Sequence, residues 1–219
     1  MKNEEYPRVL VFNSGSGSGF EKLVEAMHAG VLQAKSIVLV TNNLKYGCVE
    51  RAKRLGIKYI LMTSFGAEDY QKIVQDEHAN YVLLSGWLKL VKGLNPCTTI
   101  NIHPGSLPLF GGPGMYGHHV HKATIAAYKR GKITHTEICM HFVPDPKSEQ
   151  DYDKGLVFFR FRIPIDANDT AESLATRVNL FEHAWQSYVS KLVITGQISW
   201  DGKNIFSLVV PNHMKCYVW

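Results

Sequence analysis

The sequence predicts an α/β fold: a Rossmann-like three-layer arrangement with a mostly parallel sheet and antiparallel strands in the C-terminal half. Three observations predict it. Short, continuously apolar runs alternate with amphipathic helical patterns through the first half of the chain, as expected of strands covered on both faces. The first of these runs, Arg8–Phe12, ends in Asn13-Ser14-Gly15-Ser16-Gly17-Ser18-Gly19 immediately ahead of a helical pattern. Two longer runs at 137–143 and 156–165 are separated only by a polar loop, which predicts antiparallel neighbours and therefore a mixed sheet.

Length and composition agree with one domain spanning residues 1–219. A chain of 219 residues with 45% hydrophobic content buries a full core. Cys48, Cys97, Cys139 and Cys216 are scattered without a CxxC pair, which reads as reduced thiols and no metal site. Residues 1–7 are polar, and no apolar run approaches the ~20 residues of a membrane span, so a soluble, cytoplasmic protein is expected. The net charge of +5 is spread along the chain with no helix-turn-helix, zinc-finger or RNP pattern, so nucleic acid is not an expected partner.

In chain order, the first run is a strand, and Phe20, Leu23, Val24 and Met27 mark one face of the helix after it. The glycines between them permit close backbone approach to an anion at the positive end of that helix. The spacing fits neither a Walker loop nor GxGxxG, and a plain Gly/Ser turn is the competing reading. Strands follow at 36–40, 58–61 and 81–84, with helices at 48–55 and 67–78 between them. In a sheet of this kind ligands bind at the carboxyl ends of the strands. Residues 85–91, beginning Ser85-Gly86-Trp87, read either as a wall for a flat ligand or as core under a short helix.

The next strand, 98–103, carries the most informative stretch. Asn101 and His103 lie two apart, so an extended chain presents both to one cleft while Ile102 faces a core. Pro104, Pro108 and the glycine-rich run from Gly111 to Gly117 then force the chain into loop. The stretch 116–130 bears His118, His119 and His121, but without HExxH or a carboxylate partner a zinc site is not expected. The loop at 144–155 holds Asp145, Asp151 and Asp153. Asp169-Thr170-Ala171-Glu172 caps a helix running to about 194, in which Glu182 and His183 read as a solvated face. Residues 196–219 read as a short hairpin and a loosely ordered end.

Taken together, Gly15-Ser16-Gly17-Ser18, Ser85-Gly86-Trp87-Leu88-Lys89-Leu90, Asn101-Ile102-His103-Pro104-Gly105-Ser106-Leu107-Pro108, Met140-His141-Phe142-Val143, Asp153-Lys154-Gly155 and Arg177-Val178 through Glu182-His183 resemble the phosphoribosylglycinamide formyltransferases, in order and spacing, over about residues 7–200. The wider folate-dependent formyltransferase group shares the Asn-x-His-Pro-x-x-Leu-Pro segment. The resemblance implies transfer of a formyl group from 10-formyltetrahydrofolate, without a metal, to the amine of glycinamide ribonucleotide in purine biosynthesis.

It further implies that Asn101, His103 and Asp153 are catalytic, and that Gly15, Ser16, Gly17 and Ser18 hold the phosphate. Glu182 would hold the ribose, and Trp87, Leu88, Lys89, Leu90 and His141 would meet the folate. The nucleotide half is then 1–100, the catalytic and folate half 101–200 and the tail 201–219, in a monomer or homodimer. Amine attack on a formyl carbon makes an oxyanion, which an amide N–H and an imidazole are suited to hold, while a carboxylate raises the imidazole pKa and relays protons.

The chain departs from the family's pattern in a longer loop before Asp153, in Ala67 where some members carry arginine, and in Glu137-Ile138-Cys139. Formyl transfer to an amino sugar nucleotide is the alternative reading. A methionyl-tRNA formyltransferase would carry a further basic domain, and a formyltetrahydrofolate hydrolase an extra N-terminal one. A non-catalytic nucleotide- or folate-binding protein would leave the Asn101, His103 and Asp153 set idle.

Overall fold

Residues 6–218 are described in the structure, a computed structural model; most of the polar start, at 1–5, and Trp219 lie outside the described residues. The strands are β1 (Arg8–Phe12), β2 (Ser36–Thr41), β3 (Tyr59–Leu61), β4 (Tyr81–Ser85), β5 (Thr99–His103), β6 (His135–Phe142) and β7 (Val157–Pro164). They form one sheet in the order β3-β2-β1-β4-β5-β6-β7. The pairings from β3 to β5 are parallel, and those of β5 with β6 and β6 with β7 are antiparallel. The mixed sheet expected from the sequence is therefore present.

Alternation along β1 explains the layers. Val9 and Val11 point into the larger core cluster, while Leu10 and Phe12 point into a second one on the opposite face. The larger core is covered by α1 (Ser18–His28), α2 (Gly47–Arg54) and α5 (Ala171–Ile194), which supply Phe20, Leu23, Cys48, Leu174 and Val189. Helix α3 (Ala67–Asp76) covers the other face with Tyr70, Ile73 and Val74. Helix α4 (His118–Lys129) packs beside α5.

Helix α5 begins at Thr170, whose hydroxyl accepts from Ser173 N at 3.2 Å while the Ser173 hydroxyl accepts from Thr170 N at 3.0 Å, a reciprocal cap. Just before it, Asp169 holds Arg177 at 2.6 Å, locking the first two turns to the end of β7.

Two local expectations are corrected. Residues 86–91 form no helix, because Gly86 takes φ +76° and turns the chain out of the sheet. The tail is better ordered than expected. After a single bridge between Ser199 and Val209, its 3₁₀ turn Asn212–Tyr217 buries Met214 and lays Tyr217 against Phe159, Phe161 and Trp185. Those rings form an apolar face on β7 and α5 that the tail covers.

Strand order sets the site. The chain runs outward from β1 through β2 to β3, then returns to place β4 on the other side of β1. Such a reversal opens a crevice at the carboxyl ends of β1 and β4. The glycine loop, Gly86 and the end of β5 all meet there.

Candidate functional site

A cleft of about 730 Å³ lies along this edge. Gly15 to Ser18 line it, as do Asn101, His103 and Asp153 together with Trp87, Leu88 and Tyr152. From α5, Asn179, Glu182, His183 and Gln186 close it from the side.

The glycine loop is built by its carbonyls and by Asn13. Asn13 Oδ1 accepts from Gly15 N at 2.8 Å, and its amide donates to the Ser85 carbonyl, tying the ends of β1 and β4 together. Cys48 N donates to Gly15 O at 3.1 Å and Arg51 Nε to Ser16 O at 3.0 Å. Gly17 adopts φ +79° at the start of α1, and a Cβ there would sit 2.5 Å from Cys48 Cβ. With the carbonyls turned outward, the first-turn amides of α1 have no acceptor within the helix and face the cleft. Glu21 grips both Arg51 and Arg54, so positive charge is stationed beside the loop.

Of the two readings open for this helix face, the solvated one does not hold for Glu182 and His183. Both line the cleft, and burial pushes the Glu182 carboxyl up to about 7 against an opposing hydrogen bond from Asn179. Burial, with the nearby charges of Lys22 and Arg51, pulls the His183 imidazole down, and its Nε2 has no partner. A carboxyl that titrates near neutrality and a ring nitrogen without a partner, in the cleft that the glycine loop also lines, suit a hydroxyl-bearing ligand.

The reacting end can be derived atom by atom. His141 is 2% exposed and lies beneath Asn101, its neighbour across the β5/β6 ladder. Its Nδ1 sits 2.9 Å from Phe142 O, which can only accept, so Nδ1 carries the proton and Nε2 is a bare acceptor. Asn101 Nδ2 donates to that Nε2 at 3.0 Å and to Asp153 Oδ1 at 3.1 Å, which settles the orientation of the amide. By the same logic His103 Nε2, 2.8 Å from Phe110 O, carries a proton, leaving Nδ1 toward Asp153 Oδ2 at 3.6 Å. Gly112 N donates to that same oxygen at 3.1 Å.

Burial alone would raise the Asp153 pKa, but His141, His103 and the Gly112 amide outweigh it and hold the carboxylate ionised. For His103 the balance goes the other way. Burial lowers its pKa, and Asp153 raises it, as expected of a neighbouring carboxylate, without reversing the burial effect. The imidazole is therefore held toward its neutral form, with Nδ1 facing the carboxylate.

The three loop aspartates separate by geometry. Asp153 takes φ +57° and enters the cleft. Asp151 instead staples the loop, accepting from Lys147 N and Ser148 N at 2.8 Å and pairing with Lys154 at 2.9 Å. Asp145 accepts from Gly93 N at 2.7 Å, and Glu149 pairs with Lys92 at 2.7 Å, so the long loop is strapped to residues 92–93. Gly155 follows because a Cβ there would run into the Phe142 carbonyl.

On the neighbouring wall Trp87 is both wall and core. It is 8% exposed, packs edge-on against Phe12 at 5.2 Å and donates to Tyr70 Oη at 3.1 Å, while its edge lines the cleft. Leu88 also lines the cleft; Lys89 lies over Phe65, and Leu90 accepts from Tyr70 Oη at 3.2 Å, both outside the lining. His141, expected to touch folate, is outside the lining too and acts on Asn101 instead. The register that brings it there is not visible in sequence.

The histidines of α4 differ in their surroundings. His118 pairs with Glu172 at 3.2 Å, whereas His121 is buried at the cleft floor with Nδ1 unpartnered and its pKa pulled down to about 4 by burial. Among the described residues no group of metal-ligating side chains converges, and no helix is long and apolar enough to cross a membrane.

Comparison with known proteins adds the following. The formyl transferase family profile matches residues 7–191. A cowpea (Vigna unguiculata) protein named phosphoribosylglycinamide formyltransferase, chloroplastic, is 36% identical over 208 residues, covering 88% of this chain and 62% of the relative. The Bacillus subtilis phosphoribosylglycinamide formyltransferase is 27% identical, with 85% and 94% covered. The crystal structure of the Bacillus halodurans phosphoribosylglycinamide formyltransferase superposes with a TM-score of 0.73 at 26% identity, covering 86% of this chain and 95% of that one. This chain thus spans less than two thirds of the plant relative's length and nearly all of the bacterial one's.

Proposed function

Because the chain belongs to the formyl transferase family, we propose that it moves the formyl group of 10-formyltetrahydrofolate onto the primary amine of glycinamide ribonucleotide, as a cytoplasmic enzyme of purine biosynthesis. The observation that carries the reading is the convergence of Asn101 at 3.1 Å and His103 at 3.6 Å on the Asp153 carboxylate, in a cleft that the glycine loop and Trp87 also line.

In this reading the nucleotide phosphate rests on the amides of residues 15–18 and the ribose hydroxyls meet Glu182. The folate lies along Trp87 and Leu88, with its formyl carbon beside Asn101. The amine attacks that carbon, a C–N bond forms, and the carbonyl electron pair moves to oxygen. The Asn101 N–H now given to Asp153 turns to the oxyanion, and one such donor contributes ~100- to 1000-fold in rate.

Nδ1 of neutral His103 takes the proton shed by the attacking nitrogen, and the imidazolium so formed is stabilised by Asp153. The proton then passes to the departing folate nitrogen as its bond to the formyl carbon breaks. His141 acts through Asn101 by accepting one of its amide hydrogens, which fixes the NH₂ group and leaves the other hydrogen for the cleft.

A panel of acceptors tests the proposal. With 10-formyltetrahydrofolate as donor, glycinamide ribonucleotide should release tetrahydrofolate rapidly and amino sugar nucleotides should not. Turnover with an amino sugar nucleotide alone would replace the acceptor and leave the chemistry.

A further inference from the structure

We propose that Arg160, held by the buried Glu137, is a positioning residue for His103, acting through the loop that carries the imidazole's backbone partner. The inference rests on the functional reading above. Its basis is a row of side chains across three strands. His103 on β5 faces Cys139 on β6, and Cys139 faces Arg160 on β7, so all of them project from the same face of the sheet.

From this position Arg160 Nη1 donates to Leu107 O at 2.8 Å and to Glu137 Oε2 at 3.1 Å. The Cys139 sulfur accepts from Arg160 Nη1 at 3.6 Å, and its thiol reaches Glu137 Oε2 at 3.8 Å; burial pushes its pKa up to about 12, so it stays protonated and is no nucleophile. Leu107 and Phe110 are both buried, and Phe110 N closes the turn onto Ser106 O at 2.9 Å. One short loop therefore has its stem pinned by a guanidinium, its Phe110 carbonyl on His103, and its Gly112 amide on Asp153.

Glu137 is 7% exposed, and Arg162 Nε and His135 Nε2 stand 3.8 Å from its carboxylate. A desolvated ion pair contributes little net stability compared with an apolar pair of the same volume. What it does provide is a fixed direction for the Arg160 fork. If the Leu107 carbonyl is released, both groups that flank the reacting carbon are free to move, and a displacement near 1 Å costs ~100-fold in rate.

The test compares Arg160→Met, which keeps the stem's packing, with Arg160→Lys, which restores one charged donor, and with Arg162→Gln as a control on the exposed neighbour. Arg160→Met should lower kcat by about 10- to 100-fold while each KM stays within about threefold, with partial recovery in Arg160→Lys and no change in Arg162→Gln.

A second readout needs no substrate: the ring C–H resonance of His103 followed by NMR across pH. The titrating groups facing that ring are Asp153, His141 and His121. In Arg160→Met its shift and midpoint should move, and in Arg160→Lys they should return toward wild type. An unmoved His103 resonance, or an unchanged kcat, overturns the inference. If the wild-type protein fails to turn over the proposed substrates, the functional reading falls and the NMR titration alone judges the positioning. If Arg160→Met does not fold, Glu137→Gln, which frees the guanidinium in place, is read the same way.

Discussion

Replacing Asp153 by Asn changes one atom and removes three functions at once. The carboxylate accepts from Asn101 and from Gly112 N, each at 3.1 Å, and faces His103 Nδ1 at 3.6 Å. An amide has a single acceptor oxygen, so its NH₂ must point at one of those donors, a mismatch worth ~1–3 kcal/mol.

It also removes the charge that stabilises imidazolium formation on His103; at an effective dielectric of ~20 and this separation that attraction is about 4–5 kcal/mol. At ~1.4 kcal/mol per decade, the lost charge alone should lower kcat by about a thousandfold, and the mismatch adds to that loss. The fold should persist, since Asp151, Asp145 and Glu149 anchor the loop independently. Steady-state release of tetrahydrofolate measures the effect. A loss under about tenfold, or an equal loss in Asp151→Asn, would refute the reasoning.

Further predictions follow from the geometry. Gly17→Ala forces a positive φ on a Cβ residue against Cys48 and should raise the nucleotide KM at least ~10-fold, with a melting loss of ~1–3 kcal/mol. Because the Glu182 carboxyl is pushed up to about 7 by burial, its ionised, hydroxyl-accepting form grows as pH rises through that value; nucleotide affinity measured by calorimetry should strengthen from pH 6 to 8, and Glu182→Gln should flatten that trend. Hydrogen bonding to Arg177 holds the Asp169 carboxyl down to about 2, so its stabilising contribution is present above the ordinary carboxylate range and lost as pH falls toward 2. Urea unfolding should therefore show Asp169→Asn less stable than wild type at pH 6, with the gap closing at pH 2.5.

How far the sequence could be read depended on whether the informative distances were local. Asn101 and His103 are two apart on one strand, so period-two geometry alone sends them to one cleft. The loop at residues 13–19 is likewise local. The strands at 137–143 and 156–165 paired as their connecting loop suggested, but the register placing His141 under Asn101 and Arg160 beside Cys139 depends on long-range packing that no periodicity encodes.

Composition alone cannot decide Glu182 and His183, because a helix face toward a polar cleft has the same composition as one toward water; the family resemblance is what points Glu182 to a ligand. Of the three histidines of α4, His118 and His121 lie three apart on one face and both line the cleft, while His119, next to His118, leaves that face. Asp153 could be told from Asp151 only through Lys154-Gly155, where Gly155 is required by the Phe142 carbonyl.

Direct formyl transfer at the proposed Asn101, His103 and Asp153 centre can be followed with an isotope. Donor carrying a carbon-13 formyl group, incubated with glycinamide ribonucleotide and the wild-type protein, should place the label in the amide of the ribonucleotide, and His103→Ala should reduce that signal by orders of magnitude. Label recovered as free formate, or transfer that survives His103→Ala, would contradict it.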